Sequence, residues 1–327
     1  MWCYGIVKGR HGQLSLLAEE LSEFGNIETV RKRLNRWLSN ERLEVKTICE
    51  AWVRWVWAAM PRSSRVILLV DETKISDRMG VMMVSLAYKK RAIPLMWRCY
   101  KANSAEDYPA EGQVAMIVDM VKRVCRQLPV DSRPIVMADR GISHSSALIK
   151  ALQAHDILYL LRIKDTARFT IEQALSFILK VATAEGTSWS AEGLLFTGQR
   201  QVQTRVHMYW GHDHYQPWCL GTNDPGIASS TYARRVWQEE SFRDLKSGGW
   251  QWHTSVIRCP RRASRFVLIL AVAYGWMVAI GSQQPAPSTK PVRYSVFRRG
   301  LRWVKTRLNR LEFDLIPTQL LFSALLS

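Results

Sequence analysis

The sequence predicts a mixed α/β architecture, a layer of strands and helices with a helical segment before it and a β-rich stretch inserted into it. Three observations carry that reading. Residues 65–70 are a short apolar run rich in β-branched side chains, ending at Asp71. Residues 134–138 are a second such run, ending at Asp139. Between them, residues 112–128 place Val114, Ile117, Val118, Val121, Val124 and Cys125 on one helical face. Strand and helix periods that alternate in this way specify layers rather than a helical bundle or a β-sandwich.

Residues 1–62 read as helices. Leu14, Leu17 and Leu21 share a face, and Phe24-Gly25-Asn26 is a turn signal. The next helix carries Val30, Leu34, Trp37 and Leu38 on one side and Arg31, Lys32, Arg33 and Arg36 on the other. A helix, a glycine turn and a basic helix suit a helix-turn-helix DNA-binding unit. They suit equally a helical bundle with a solvated basic face. A third helix over residues 45–60 contains Ile48, Trp52 and Trp55 and stops at Pro61; Trp52, Trp55 and Trp276 are expected in the core. Strands follow at 80–88 and 92–99, a helix at 145–154 and a strand at 157–164. Three strands, a helix, a strand, a helix and a strand is the order of the ribonuclease H-like fold, of which residues 63–164 form the first part.

Residues 165–229 are the β-rich insertion. Val202, Thr204, Val206 and Met208 alternate with polar neighbours, and residues 218–220 add a further strand. Helical character returns over 231–246, within the second part of the core at 230–282. The apolar run 266–281 falls short of the roughly 20 residues a membrane span needs, so it reads as a core helix. A Pro-, Ser- and Gln-rich linker at 283–291 opens the basic C-terminal segment, 283–327. There Phe297, Leu301, Val304 and Leu308 form an apolar stripe, with Arg298, Arg302, Lys305 and Arg310 largely off it. Either a partner chain or the protein's own core covers that stripe.

Lys plus Arg outnumber Asp plus Glu by 46 to 28, a net charge of +18, which points to a polyanionic partner. Nucleic acid is the first candidate and an anionic membrane surface the second. The six cysteines are scattered with no C-x-x-C pair, which excludes a disulfide framework or zinc ribbon and suits a reducing compartment. His212-x-His214 with Cys219 lacks a fourth ligand and reads as a polar hairpin tip.

Asp71 and Asp139, each closing an apolar strand, come together at a sheet edge if their strands are neighbours. Close carboxylates repel unless a cation compensates them, and hard oxygen ligands suit Mg²⁺ or Mn²⁺. Singly, each aspartate reads as well as a turn or helix-capping residue. The helix after the insertion shifts the balance. Tyr232, Arg235, Glu239 and Lys246 follow the spacing Y-x2-R-x3-E-x6-K, which places a phenol, an acid and two cations on one helical face.

That spacing resembles the signature of the insertion-sequence-four family of bacterial DDE transposases. Val70-Asp71-Glu72-Thr73 and Ala138-Asp139-Arg140-Gly141 look like its first two acidic motifs, in the expected order, and the resemblance runs to about residue 281. It implies that Asp71, Asp139 and Glu239 bind two Mg²⁺ or Mn²⁺ ions, and that Tyr232, Arg235 and Lys246 contact transposon-end phosphates. Arg140 binds DNA or forms an ion pair. Strand alternation points Glu72 away from Asp71, and only Glu239, not Glu240, fits the spacing. The resemblance further implies double-stranded DNA as substrate, a homodimer on paired ends, cut-and-paste transposition through a hairpin, and action in the bacterial cytoplasm. An insertion-domain Trp that stacks a flipped base is expected, with Trp210 or Trp218 as candidates. Two alternatives stay open: another ribonuclease H-like nuclease such as a junction resolvase, and an inactive descendant that only binds DNA.

Overall fold

The computed structural model describes residues 1–327 apart from 62–64, 76–77, 105, 107, 172–174, 213, 286–293 and 323–327. Its centre is a ten-stranded sheet. The first three strands, β1 (Arg65–Ile75), β2 (Met79–Tyr88) and β3 (Arg91–Lys101), form an antiparallel meander. After helix α5 (Gly112–Cys125), strand β4 (Arg133–Ala138) pairs in parallel with β1, and β5 (Leu158–Ile163) in parallel with β4. The short helix α6 (Arg140–Ser143) and helix α7 (Ser146–Gln153) connect β4 to β5. This 3-2-1-4-5 arrangement is the mixed α/β core that the element order predicts.

The insertion extends the same sheet. Strands β6 (Arg168–Ile171), β7 (Leu175–Ile178), β8 (Ser188–Leu195), β9 (Val202–Tyr209) and β10 (Trp218–Thr222) follow in the chain. They add to the sheet in the order β10-β9-β8-β6-β7, with β10 antiparallel to β5. The period-2 pattern in β9 holds: Val202, Thr204, Val206 and Met208 are buried while their alternates are not.

Helix α8 (Val236–Leu245) crosses the meander, and helix α9 (Pro260–Gln283) lies against β3. Among the described residues α9 is the one helix long and apolar enough to cross a membrane, yet most of it is buried inside the protein. Of the N-terminal helices, α1 (Trp2–Gly9), α3 (Ile27–Ser39) and α4 (Val45–Ala58) pack against it, and α2 (Leu14–Glu20) packs on α1 and α3. Their buried faces (Ile6, Leu17, Val30, Leu34, Trp52) join the core of the sheet as one continuous apolar cluster. Asn26 caps α3 by accepting the Glu28 N–H at 2.9 Å, which fixes the turn between α2 and α3. Arg31, Lys32, Arg33 and Arg36 all face outward from α3, with Glu28 near Arg31 and Lys32.

One open alternative is resolved and one expectation is corrected. Helix α10 (Val296–Asn309) presents Phe297, Leu301 and Val304 to α9, so the protein's own core covers the apolar stripe. Its crossing with α9 is tight, since a Cβ on Gly300 would lie 1.9 Å from the Met277 carbonyl oxygen. Trp55 is 46% exposed and lies outside the core, whereas Trp52 is buried and donates its indole N–H to the Pro94 carbonyl at 2.7 Å. The 283–291 linker falls largely outside the described residues.

Candidate active site

Asp71 does not close its strand. β1 continues to Ile75, paired with β2, but the parallel pairing of β1 with β4 stops at Val70 opposite Ala138. Asp71 and Asp139 are therefore the next residues on two adjacent parallel strands, at the point where the strands separate. Such a point is where open α/β sheets place ligands. Asp139 also caps α6: its Oδ1 accepts the Gly141 N–H at 3.0 Å and the Ile142 N–H at 3.2 Å. The capping role and the site role coexist, because the second carboxylate oxygen turns toward Asp71.

The Y-x2-R-x3-E-x6-K residues are not on one α-helix. Tyr232 and Arg235 belong to a 3-10 turn (Ser229–Arg235), Glu239 to the first turn of α8, and Lys246 is its C-cap. The turn carries Arg235 over the sheet edge. One of its terminal nitrogens donates to Asp71 Oδ2 at 3.0 Å and to Asp139 Oδ2 at 3.2 Å. The other donates to Glu239 Oε1. Three carboxylates from two strands and a helix thus converge on one guanidinium. Lys246 reaches the same edge from the far end of α8 and donates to Thr73 Oγ1 at 2.5 Å.

The electrostatics follow from burial and crowding. Burial first, then Asp139 and Glu239, push the Asp71 carboxyl up to about 6, against the lowering effect of Arg235. Burial lowers the Lys246 pKa, and Asp71 partly restores it. Two oxygens that share one nitrogen lie within the reach of a metal pair with ions about 4 Å apart. Among the described residues no three His, Cys, Asp or Glu side chains close on one point as a ready metal cluster. At the triad that central point belongs to the Arg235 guanidinium.

The neighbouring acids are directed elsewhere. Glu72 faces Tyr100, as strand alternation predicts, and burial first and then Glu72 raise the Tyr100 phenol. Glu240 pairs with Arg91 at 3.6 Å and Arg243 at 3.1 Å. Arg140 is exposed and donates to Gln216 at 2.9 Å. Tyr232 is buried against Trp218, ring centroids 5.3 Å apart, and burial raises its phenol to about 12. A cavity of about 330 Å³ lies beside the triad, lined by Asp139, Arg140, Arg162, Trp218, Tyr232 and Arg235. Arg162 was not singled out from the sequence; its place on β5 next to β4 is the only signal. Trp210 instead ties down its own loop, donating to the His214 carbonyl at 3.0 Å.

No curated protein sequence matches the chain significantly. Two solved structures of human endonuclease V are distantly similar. One is 8% identical, covering 68% of this chain and 94% of its own, with a TM-score of 0.28. The other, its catalytic domain, is 10% identical, covering 71% and 98%, also at 0.28. Likeness at that level carries no argument. A model of the transposase DDE domain matches residues 112–276, which hold Asp139 and Glu239 but not Asp71. The match spans just over half of the sequence, and the chain belongs to the transposase DDE domain family.

Proposed function

We propose that the chain is a cut-and-paste transposase of the insertion-sequence-four type. It would cut double-stranded DNA at the ends of a mobile element and join the freed 3′ ends to a target. One observation carries the reading: Asp71, Asp139 and Glu239, from three separate elements, meet at a single guanidinium in a cleft at the sheet edge. Three acids around one cation leave an excess of negative charge among hard oxygen donors, which fits Mg²⁺ or Mn²⁺. The three acids would hold two such ions. Ions held there supply activation of an attacking oxygen and stabilisation of the leaving one.

The chain's own groups do the rest. Arg235 holds the acids together before loading and, once released, is placed to bind a backbone phosphate beside the scissile bond. Lys246 sits within the field of Asp71 and supplies a second phosphate contact. Tyr232 packs edge-to-face on Trp218, and the two rings line the cavity together. Trp218 is therefore the better candidate than Trp210 to stack an unpaired base. Arg140 faces the same opening, while Arg31, Lys32, Arg33 and Arg36 on α3 bind the element's end at a distance. Paired ends would be cut through a hairpin by two copies of the chain, since each chain carries one set of three acids.

The test is cleavage of a duplex carrying the inverted repeats that flank the gene. Nicking at the repeat boundary that needs Mg²⁺ or Mn²⁺, and hairpin formation on the flanked end, are the expected results. A protein that binds the repeats but never nicks them favours a DNA-binding descendant. Cutting of branched DNA irrespective of the repeats favours a junction nuclease.

A further inference from the structure

Away from the triad, three cations break a backbone rule together. The β2–β3 hairpin turns through two residues, Lys89 and Lys90, with φ of 41° and 62°. A two-residue turn of this hand takes Asn-Gly or Asp-Gly by preference, because a side chain is strained in the left-handed region. Arg10, which ends α1, has φ 61°. It donates to the Gly248 carbonyl at 3.4 Å, just beyond the end of α8. A fourth and fifth cation, Arg298 and Arg299, occupy the first turn of α10, where no acid is present. The positive end of the helix dipole disfavours Arg298 there, while Arg299 donates to the Gly281 carbonyl in the last turn of α9 at 3.2 Å.

Helix α1 packs against α10, and the hairpin approaches the end of α9 through the C-terminal tail: Tyr88 meets Phe322 at 5.1 Å, and Gln283 donates to the Leu321 carbonyl at 2.7 Å. Burial and then the charge of Arg298 lower the Arg10 pKa; burial and then Arg299 lower that of Lys89. Asp244 and Glu240 stand nearby: Arg91 engages both, Arg243 holds Glu240 as well, and Asp244 lies within the field of Arg298. Lys90 is exposed. Local rules broken in concert, at a cost to the fold, mark a functional surface.

We propose that Arg10, Lys89, Lys90, Arg298 and Arg299 form a second site for DNA backbone phosphates, separate from the catalytic cleft. The inference rests on the transposase reading. Asp71 pairs with Met83, and Lys89 lies six residues further on, just past the end of β2, roughly 20 Å away at strand rise. A duplex seated on the triad reaches that face about six base pairs from the scissile bond. The phosphates belong either to the element's own end or to the DNA beyond the cut.

The test exploits opposite signs. Lys89→Asn with Lys90→Gly suits the turn better and removes two charges. Its melting temperature should rise, while its log affinity for duplex against log salt becomes shallower by about 2. Lys89→Arg with Lys90→Arg should keep the wild-type slope. Trimming the duplex to fewer than about six base pairs on the element side, or on the far side, identifies the source: the difference between wild type and variant vanishes on the trimmed side that supplies the phosphates. A variant that gains stability yet keeps the wild-type slope on every duplex overturns the proposal. Wild-type protein that binds no duplex at all overturns the transposase reading instead.

Discussion

Helix α8 carries a charge cluster at each end, and the two are built differently. At its C-terminal end Arg91 donates to Asp244 at 2.6 Å and also meets Glu240, which Arg243 shares. Tyr274 donates to Asp244 at 3.4 Å and to Ser241 at 3.0 Å, while Ser241 accepts the Ala92 N–H at 2.6 Å. Arg91 and Asp244 form a buried pair in a network that pins the helix to β3 and α9, and Glu240 with the exposed Arg243 extends it to the surface. At the N-terminal end three acids meet one guanidinium, and Glu239 has half its side chain exposed. The difference separates architecture from chemistry. A charge-balanced cluster with a buried pair at its heart stabilises one arrangement, whereas a cluster short of positive charge is built to accept more cation. The balanced end holds the other in place, because it sets how α8 lies across the sheet.

The comparison breaks most readily through the carboxylates of α8. Glu239→Gln, and equally Asp71→Asn or Asp139→Asn, should lower metal-dependent nicking of a cognate end by at least about 10³-fold, the several kcal/mol that metal-assisted charge stabilisation supplies. Duplex binding by gel shift should persist, since affinity comes from Lys and Arg spread over the surface. Glu240→Gln should leave nicking near wild type. Equal losses for Glu239→Gln and Glu240→Gln would move the active site off the triad.

The balanced end should answer in stability. Asp244→Asn removes one partner of a buried pair and should cost about 3 kcal/mol in denaturant unfolding, the lower end for such pairs because Glu240 still faces Arg91. Replacing both partners, Arg91→Met with Asp244→Leu, should recover most of that loss. An unchanged unfolding midpoint in Asp244→Asn would show that α8 is held by apolar packing alone.

Much of this was legible from residue order, and the exceptions have physical causes. The strand and helix periods gave the meander, α5, β4, α7 and β5, because each element buries one face and writes that face into the sequence. Asp71 reads as a strand end because the apolar run stops there. The ladder with β2 continues through Glu72, Thr73 and Lys74, and hydrogen bonding, unlike burial, leaves no mark on side-chain type. The Y-x2-R-x3-E-x6-K spacing suggests a single helical face, yet a 3-10 turn carries its first half. Three residues per turn bring Arg235 directly over Tyr232, and short-range propensity does not reveal that local tightening. Arg235 itself reads as a phosphate contact in the sequence, and nothing in its spacing says that it also bridges the acids. The hairpin at Lys89 and Lys90 carries no Gly or Asn, so the turn is invisible to its usual signal.

Protonation sharpens the contrast further. Asp71 has its ordinary pKa of 3.8 raised to about 6 in the folded protein. Between those values the folded state holds a proton that the unfolded chain has released. The contribution is therefore fully present below about pH 4 and is lost as pH rises through 6, by about 3 kcal/mol at pH 7. Metal-free protein in chelator should melt at falling temperature as pH climbs through that window, and Asp71→Asn should flatten the trend. An Asp71→Asn profile parallel to wild type would assign the slope to another group.

The finest test lies with Arg235, the residue that distinguishes the two ends of α8. In the DNA-free protein an entering divalent ion must take the acids from a guanidinium that already engages all three. A backbone phosphate brought to the cleft competes for that guanidinium in turn. Duplex and metal should therefore favour each other, and linkage makes the coupling equal in both directions. Titration calorimetry of Mn²⁺ into wild type, with and without an uncleavable duplex, should show affinity rising on DNA by roughly fivefold or more. Arg235→Gln should bind Mn²⁺ roughly tenfold more tightly without DNA, about 1.4 kcal/mol. The duplex should then add nothing further. The added carboxylate repulsion in the variant works with this expectation, since a divalent ion relieves more of it than a single guanidinium does. If Arg235→Gln binds the ion no better than wild type, and DNA enhances both alike, then Arg235 is an ordinary ion-pair partner and the coupling runs through the phosphates themselves.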